Sequence, residues 1–89
     1  MSTITRGMAK ELLADKIRVN AVAPGVIMTP FQERFTTPDQ LEGFRKTIPM
    51  GRIGDPDECS GAFLYLASNQ MSGYVTGQII DVNGGQYMP

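Results

Sequence analysis

Side chains able to do chemistry are sparse in this chain, and their types narrow the reaction classes sharply. The chain has no histidine and one cysteine, Cys59. Without an imidazole there is no Ser-His or Cys-His couple and no zinc finger of the histidine type, and one thiol cannot form an internal disulfide. No catalytic residue and no metal ligand is assigned within these residues. Cys59 falls on the apolar face of a helix, where a small buried hydrophobe is expected rather than a nucleophile. Arg18 and Asn20 stand out as polar groups in a β-rich stretch, and satisfying backbone groups of a neighbouring segment is the role expected of them. The most suggestive cluster is Pro24, Gly25, Ile27 and Thr29. They lie where a strand's carboxyl end opens into a loop, which is where open α/β sheets bind their ligands. Read locally, the same residues also serve as a strand stop at Pro24-Gly25 and a turn cap at Thr29.

The elements that must position this loop follow from hydrophobic spacing. Ile4, Met8 and Leu12 recur every four residues with Ala9 and Leu13 beside them, which predicts an amphipathic helix from Ser2 to about Asp15. Ile17 to Ala23 is β-rich and predicts a strand, halted by Pro24-Gly25 because proline cannot donate to a ladder. Pro30, Pro38 and Pro49 bracket an excursion over residues 30–49 with short helices, whose apolar points are Phe31, Phe35, Leu41 and Phe44. Its phenylalanines could wall an apolar pocket or pack on their own helices. Asp55, Pro56 and Glu58 form a capping-box start for a helix to about Ser68, with Cys59, Ala62, Phe63, Leu66 and Ala67 as its apolar face. Gly73 and Gly77 then bracket a turn before a short strand, Gln78 to Val82, closed by Asn83-Gly84-Gly85. Strand, crossover helix and strand call for a parallel pair with a right-handed connection, hence an α/β class. Two strands do not complete such a sheet, so residues 1–89 read as one segment, the C-terminal portion of a doubly wound fold whose remainder lies upstream.

Composition closes other routes. Apolar residues make up 42% of the 89, charged residues 19%, and the net charge is −1, which fits neither a disordered polar tail nor a basic nucleic-acid binder. No apolar run approaches the roughly 20 residues that span a bilayer. A cytoplasmic protein with neither nucleic-acid nor membrane partners is expected. For this mass, area scaling gives roughly 14,000 Å² exposed unfolded and about 5,100 Å² folded, so a compact monomer would bury about 64% of its surface.

The text Ile17-Arg18-Val19-Asn20-Ala21-Val22-Ala23-Pro24-Gly25, followed by Thr29-Pro30, resembles the C-terminal part of the short-chain dehydrogenase/reductase family. Pro49-Met50-Gly51-Arg52-Ile53-Gly54, Pro56-Asp57-Glu58, Phe63 to Ser68, Thr76-Gly77-Gln78 and Val82-Asn83-Gly84-Gly85 follow in that family's order and spacing. Asn83 departs from its more usual Asp-Gly-Gly, losing a charge but keeping a side chain that tolerates turns. The resemblance implies a Rossmann-type sheet and a cofactor, NAD or NADP. It implies that backbone groups around Pro24, Gly25 and Ile27 face the nicotinamide and its carboxamide, that the Thr29 hydroxyl bonds carboxamide or phosphate, and that residues 30–49 form a substrate lid. A neutral amide needs one donor and one acceptor held rigidly. The family's Gly-rich phosphate loop and catalytic Asn, Ser and Tyr-x-x-x-Lys are not in these residues: Tyr65 is followed four residues on by Asn69 and Tyr74 by Gln78, and no position four residues beyond Tyr87 exists. By the same resemblance Met1 falls just after that Tyr-x-x-x-Lys, part-way along its helix.

Two functions from different classes are compatible with this reading. One is part of an NAD(P)-dependent oxidoreductase moving hydride between nicotinamide and a small alcohol or ketone. The other is a non-catalytic assembly module, because the Asp55–Ser68 helix and the last strand resemble the family's subunit-contact elements. In either case a homo-oligomer, or association with an N-terminal portion, is expected.

Overall fold

The computed structural model describes residues 2–88. Helix α1 (Ser2–Leu12) tightens into a 3-10 turn at Leu13–Asp15 and stops at Lys16, whose φ of 59° lies in the left-handed region. The helical span is the expected one, but its inward face is displaced. Thr5 and Ala9 are buried while Ile4 is 68% exposed and Met8 is also exposed, so the Ile4-Met8 stripe looks outward.

Strands β1 (Ala21–Pro24) and β2 (Ile79–Val82) pair in parallel, with Ala21 opposite Ile79 and Pro24 opposite Val82. The first strand is shorter than the sequence suggests because side chains replace its ladder upstream. Asn20 donates from Nδ2 to the Val75 carbonyl at 3.0 Å and accepts from the Gln78 N–H at 3.0 Å, so one amide does the work of two peptide groups. The Val19 N–H donates to the Thr76 hydroxyl at 3.1 Å, and its carbonyl accepts from Gly77 at 2.8 Å. Gly77 has a φ of +74°, a turn conformation that costs glycine little.

Residues 30–49 form two helices, each opened by Thr-Pro. Thr29 caps α2 (Pro30–Phe35), and Thr37 with Gln40 closes a capping box on α3 (Pro38–Thr47). Helix α4 (Pro56–Ala67) starts at the expected box, where the Asp55 N–H donates to Glu58 Oε1 at 3.0 Å. It packs on both strands. Of its expected face, Cys59 is buried and Ala62 and Leu66 are half-buried, but Phe63 and Ala67 are exposed, leaving a narrower stripe than the spacing implies. A short helix, α5 (Asn69–Ser72), to which sequence patterning assigns no element, follows before the Gly73–Gly77 turn and is capped by the Ser68 hydroxyl.

Arg18 ties this corner together, as expected of a structural polar residue. Its guanidinium donates to the carbonyls of Leu66 at 3.0 Å, Ser72 at 2.9 Å and Val75 at 3.3 Å, and to Asn69 Oδ1 at 3.2 Å. The Leu66 carbonyl lies in the last turn of α4, where helical partners run out, while those of Ser72 and Val75 belong to the end of α5 and the turn beyond it. Ser72 is 1% exposed and its hydroxyl bonds the Tyr65 carbonyl at 2.7 Å.

The apolar core is small: Ala9, Val22, Ile48 and Cys59. The chain exposes 6635 Å² and extends 50 × 23 × 22 Å. That area exceeds the roughly 5,100 Å² of a compact monomer of this mass. Among the described residues no helix is long and apolar enough to cross a membrane.

Candidate functional site

The carboxyl ends of β1 and β2 converge, and glycine lets them touch. A Cβ added to Gly25 would lie 2.6 Å from Asn83 Cβ and 2.9 Å from Asn83 Cα, so the loops leaving the strands are in backbone-level contact. The Gly25 N–H donates to the Val82 carbonyl at 2.9 Å. Asn83 then turns the chain, its Oδ1 accepting from the Gly85 N–H at 3.0 Å, the local bond that suits asparagine to turns. Gly84 (φ +63°) and Gly85 (φ +89°) follow, and a Cβ on Gly84 would strike Ile48 at 2.7 Å. The Gly84 carbonyl accepts from Met50 at 3.0 Å, which fastens the end of the 30–49 excursion to the loop after β2.

These loops enclose an open cleft of about 570 Å³ lined by Val26, Ile27, Ile48, Pro49, Met50, Arg52, Gly54, Glu58 and residues 81–85. It lies beyond the carboxyl ends of the strands, where an open α/β sheet presents ligands. Ile27 occupies its wall in an informative way. It forms an isolated parallel bridge with Gly54: the Met28 N–H donates to the Gly54 carbonyl at 2.8 Å, and the Gly54 N–H to the Val26 carbonyl at 3.1 Å. In a parallel bridge the groups flanking a residue face the partner, so the residue's own N–H and carbonyl face away. Ile27 therefore turns one donor and one acceptor away from Gly54, and neither has a hydrogen-bond partner among the described residues. That is the complement of a neutral carboxamide.

The other three expected site residues are disposed differently. Pro24 ends β1 and is exposed, and Gly25 is packed under Asn83. Thr29 caps α2, its Oγ1 accepting from the Gln32 N–H at 3.3 Å, which leaves the hydroxyl proton free to donate. Of the four, only Ile27 lines the cleft. The phenylalanines of residues 30–49 do not line it either. Phe31 and Phe35 stack on each other with ring centroids 4.8 Å apart, the guanidinium of Arg34 lies 5.8 Å over Phe35, and both rings are largely exposed. Cys59 is buried, and no cluster of histidine, cysteine or carboxylate able to hold a metal occurs among the described residues.

The charged part of the cleft is an ion pair that sequence spacing did not single out. Arg52 donates from Nη1 to Glu58 Oε1 at 2.6 Å and from Nη2 to Oε2 at 2.7 Å. This fork, with the Asp55 N–H as a further donor, holds the Glu58 carboxyl down at about 2 and raises the Arg52 guanidinium. The Asp55 capping signature marks Glu58, but a pair six positions apart, closed from a loop onto the first turn of α4, has no period by which Arg52 could be found.

A parallel strand pair backed by a helix, with a glycine-built cleft at the carboxyl ends, defines the ligand-facing part of an open α/β sheet. The chain belongs to the short-chain dehydrogenase/reductase family: residues 1–86 match the family model described as enoyl-(acyl carrier protein) reductase. It is 44% identical over 88 residues to general stress protein 39 of Bacillus subtilis, covering 99% of this chain and 30% of that protein. It is 48% identical over 83 residues to the 3-oxoacyl-[acyl-carrier-protein] reductase FabG of Thermotoga maritima, covering 92% of this chain and 32% of the relative. Among solved structures, the 3-oxoacyl-[acyl-carrier protein] reductase of Brucella melitensis superposes with a TM-score of 0.90 at 42% identity, over 99% of this chain and 32% of that one. The NADH-dependent reductase A1-R′, responsible for alginate metabolism, gives 0.81 at 41%, over 99% and 31%. The chain thus spans about a third of the length of these relatives, and its fold is a portion of their Rossmann-type sheet.

Proposed function

We propose that this chain supplies the nicotinamide-side wall of an oxidoreductase that moves hydride between NAD or NADP and a small alcohol or ketone. The observation that carries this reading is the free donor and acceptor of Ile27, turned away from Gly54 at the wall of a cleft beyond the strand ends. When bound, the nicotinamide supplies the hydride chemistry. The Ile27 peptide groups orient its carboxamide, the Pro24-Gly25 backbone borders the ring, and the remaining proton of the Thr29 hydroxyl donates to carboxamide or phosphate. Residues 30–49, tethered at Met50 to Gly84, close over the substrate as a lid and exclude water. The proton that accompanies hydride transfer is handled by groups outside these residues. Names of relatives that specify reductases and a 3alpha-hydroxysteroid dehydrogenase support the reaction class.

The test is a chimera in which residues 1–89 replace the matching segment of the Thermotoga maritima reductase. Oxidation of reduced nicotinamide nucleotide by the chimera, and none by the isolated chain, is the expected pair of results. A folded chimera that binds no nucleotide overturns the proposal.

A second reading, a non-catalytic assembly module, is favoured by one observation: the 6635 Å² of exposed surface, with Phe63, Leu64 and Met71 among the exposed apolar side chains. Surfaces of this kind mark contact sites. The two readings coexist if α4 and β2 serve as subunit contacts of the enzyme.

A further inference from the structure

Glu58 stands at the centre of an arrangement that reaches the Ile27 loop. Its Oε1 accepts both from Arg52 Nη1 at 2.6 Å and from the Asp55 N–H at 3.0 Å, and its Oε2 accepts from Arg52 Nη2. One carboxylate thus grips the chain on both sides of Gly54, two residues before it and one after. Gly54 is the residue whose N–H and carbonyl bond Val26 and Met28 on either side of Ile27. The contact is tight as well as hydrogen-bonded: a Cβ on Gly54 would lie 2.9 Å from Ile27 Cδ1. Neither Arg52 nor Glu58 needs this pair for charge balance at the surface, since both remain well exposed. A bidentate fork fixes orientation in a way a single contact does not.

We propose that Arg52 and Glu58 are positioning residues for the cofactor wall: their ion pair holds Gly54 in the register that keeps the Ile27 donor and acceptor turned away from it and free to bind. The cofactor half of this inference rests on the function proposed above, while the clamp itself does not. Glu58 is anchored by the start of α4, so the helix that backs both strands is coupled through Arg52 and Gly54 to the loop beyond β1. Truncating Arg52 leaves the Asp55–Glu58 cap intact, which separates loosening of the clamp from melting of the helix.

The first measurement is hydrogen exchange, read by mass spectrometry, of peptides covering residues 24–31, 50–56 and 59–67 in the full 89-residue chain and in Arg52→Ala and Arg52→Lys. Exchange in the first two peptides is expected to rise about three- to fivefold in Arg52→Ala, the scale of one well-formed exposed pair, with the third unchanged. Arg52→Lys, which keeps the charge but not the fork, recovers part of the protection. Unchanged exchange at residues 24–31 overturns the clamp, and equal acceleration in all three peptides shows that Arg52 only stabilises the fold. The second measurement is nucleotide kinetics of the chimera carrying the same substitutions. A several-fold rise in KM for nucleotide with kcat within twofold, partly reversed by lysine, is expected. An unaltered KM overturns the cofactor half even where the clamp stands, whereas a wild-type chimera that binds no nucleotide overturns the functional reading instead.

Discussion

Gly25→Ala places a methyl group where the structure has no room for one. Two effects oppose each other. Gly25 is not among the glycines with positive φ, so alanine can adopt its backbone, and the less flexible unfolded chain would favour the variant by about 0.4–1 kcal/mol. Against this, the new Cβ would sit 2.6 Å from Asn83 Cβ and 2.9 Å from Asn83 Cα. The second atom is backbone, held by the Asn83 turn and by the Gly25–Val82 hydrogen bond, so the clash cannot be relieved by a rotamer. Overpacking of this kind costs about 1–3 kcal/mol, which leaves a net loss of about 1–2 kcal/mol. Urea unfolding of the chimera with and without the substitution measures it, with the midpoint lowered and the slope unchanged. Nucleotide affinity should fall as well, because the displaced loop carries Ile27. A Gly25→Ala protein as stable as its parent would refute the claim that the two strand ends are in backbone contact.

Three further outcomes follow from the geometry. Arg18→Ala is expected to destabilise by about 2 kcal/mol by removing the charge-assisted bonds to the carbonyls of Leu66, Ser72 and Val75, each of which keeps one other donor, with Arg18→Lys recovering little; urea midpoints decide it. The Glu58 carboxyl is lowered from 4.5 to about 2, chiefly by its hydrogen bonds from Arg52, so its contribution is present above the unfolded value and lost as pH falls from about 4.5 toward 2. Circular dichroism across that interval should show a loss of stability that Glu58→Gln, without a titrating group, does not. Light scattering across a dilution series should find the isolated chain associated, given its 6635 Å² of exposed surface, and a cooperative monomeric transition at low micromolar concentration would contradict that.

The sequence reveals this fold wherever a local rule decides. The Asp55-Pro56-x-Glu58 start of α4 and the Asn83-Gly84-Gly85 turn are written in residue types whose hydrogen bonds lie within three positions. The parallel pairing follows from a helix between two β-rich runs. It misleads where a side chain stands in for backbone: Asn20 and Thr76 bond to peptide groups from 55 to 58 positions away, so residues 17–20 read as strand but leave the ladder. Apolar periodicity also overstates burial in α1 and α4, because spacing records which residues share a face and not whether anything covers it. The Ile4-Met8 stripe and Phe63 are on helices and exposed. At the cleft, the Pro24-Gly25 signal locates the loop, and of the four residues marked there Ile27 lines the wall. The contributions of Arg52 and Gly54 depend on two loops meeting, which no spacing within either loop encodes.

The central claim, that the Ile27 donor and acceptor hold a nicotinamide carboxamide, is tested most directly by the nucleotide itself. The dissociation constants of the chimera for oxidised dinucleotide and for an analogue with plain pyridinium in place of nicotinamide can be compared by calorimetry. Two hydrogen bonds, at about 0.5–1.5 kcal/mol each, predict that deleting the carboxamide weakens binding about five- to one-hundredfold. Equal affinity for the two dinucleotides would contradict the account.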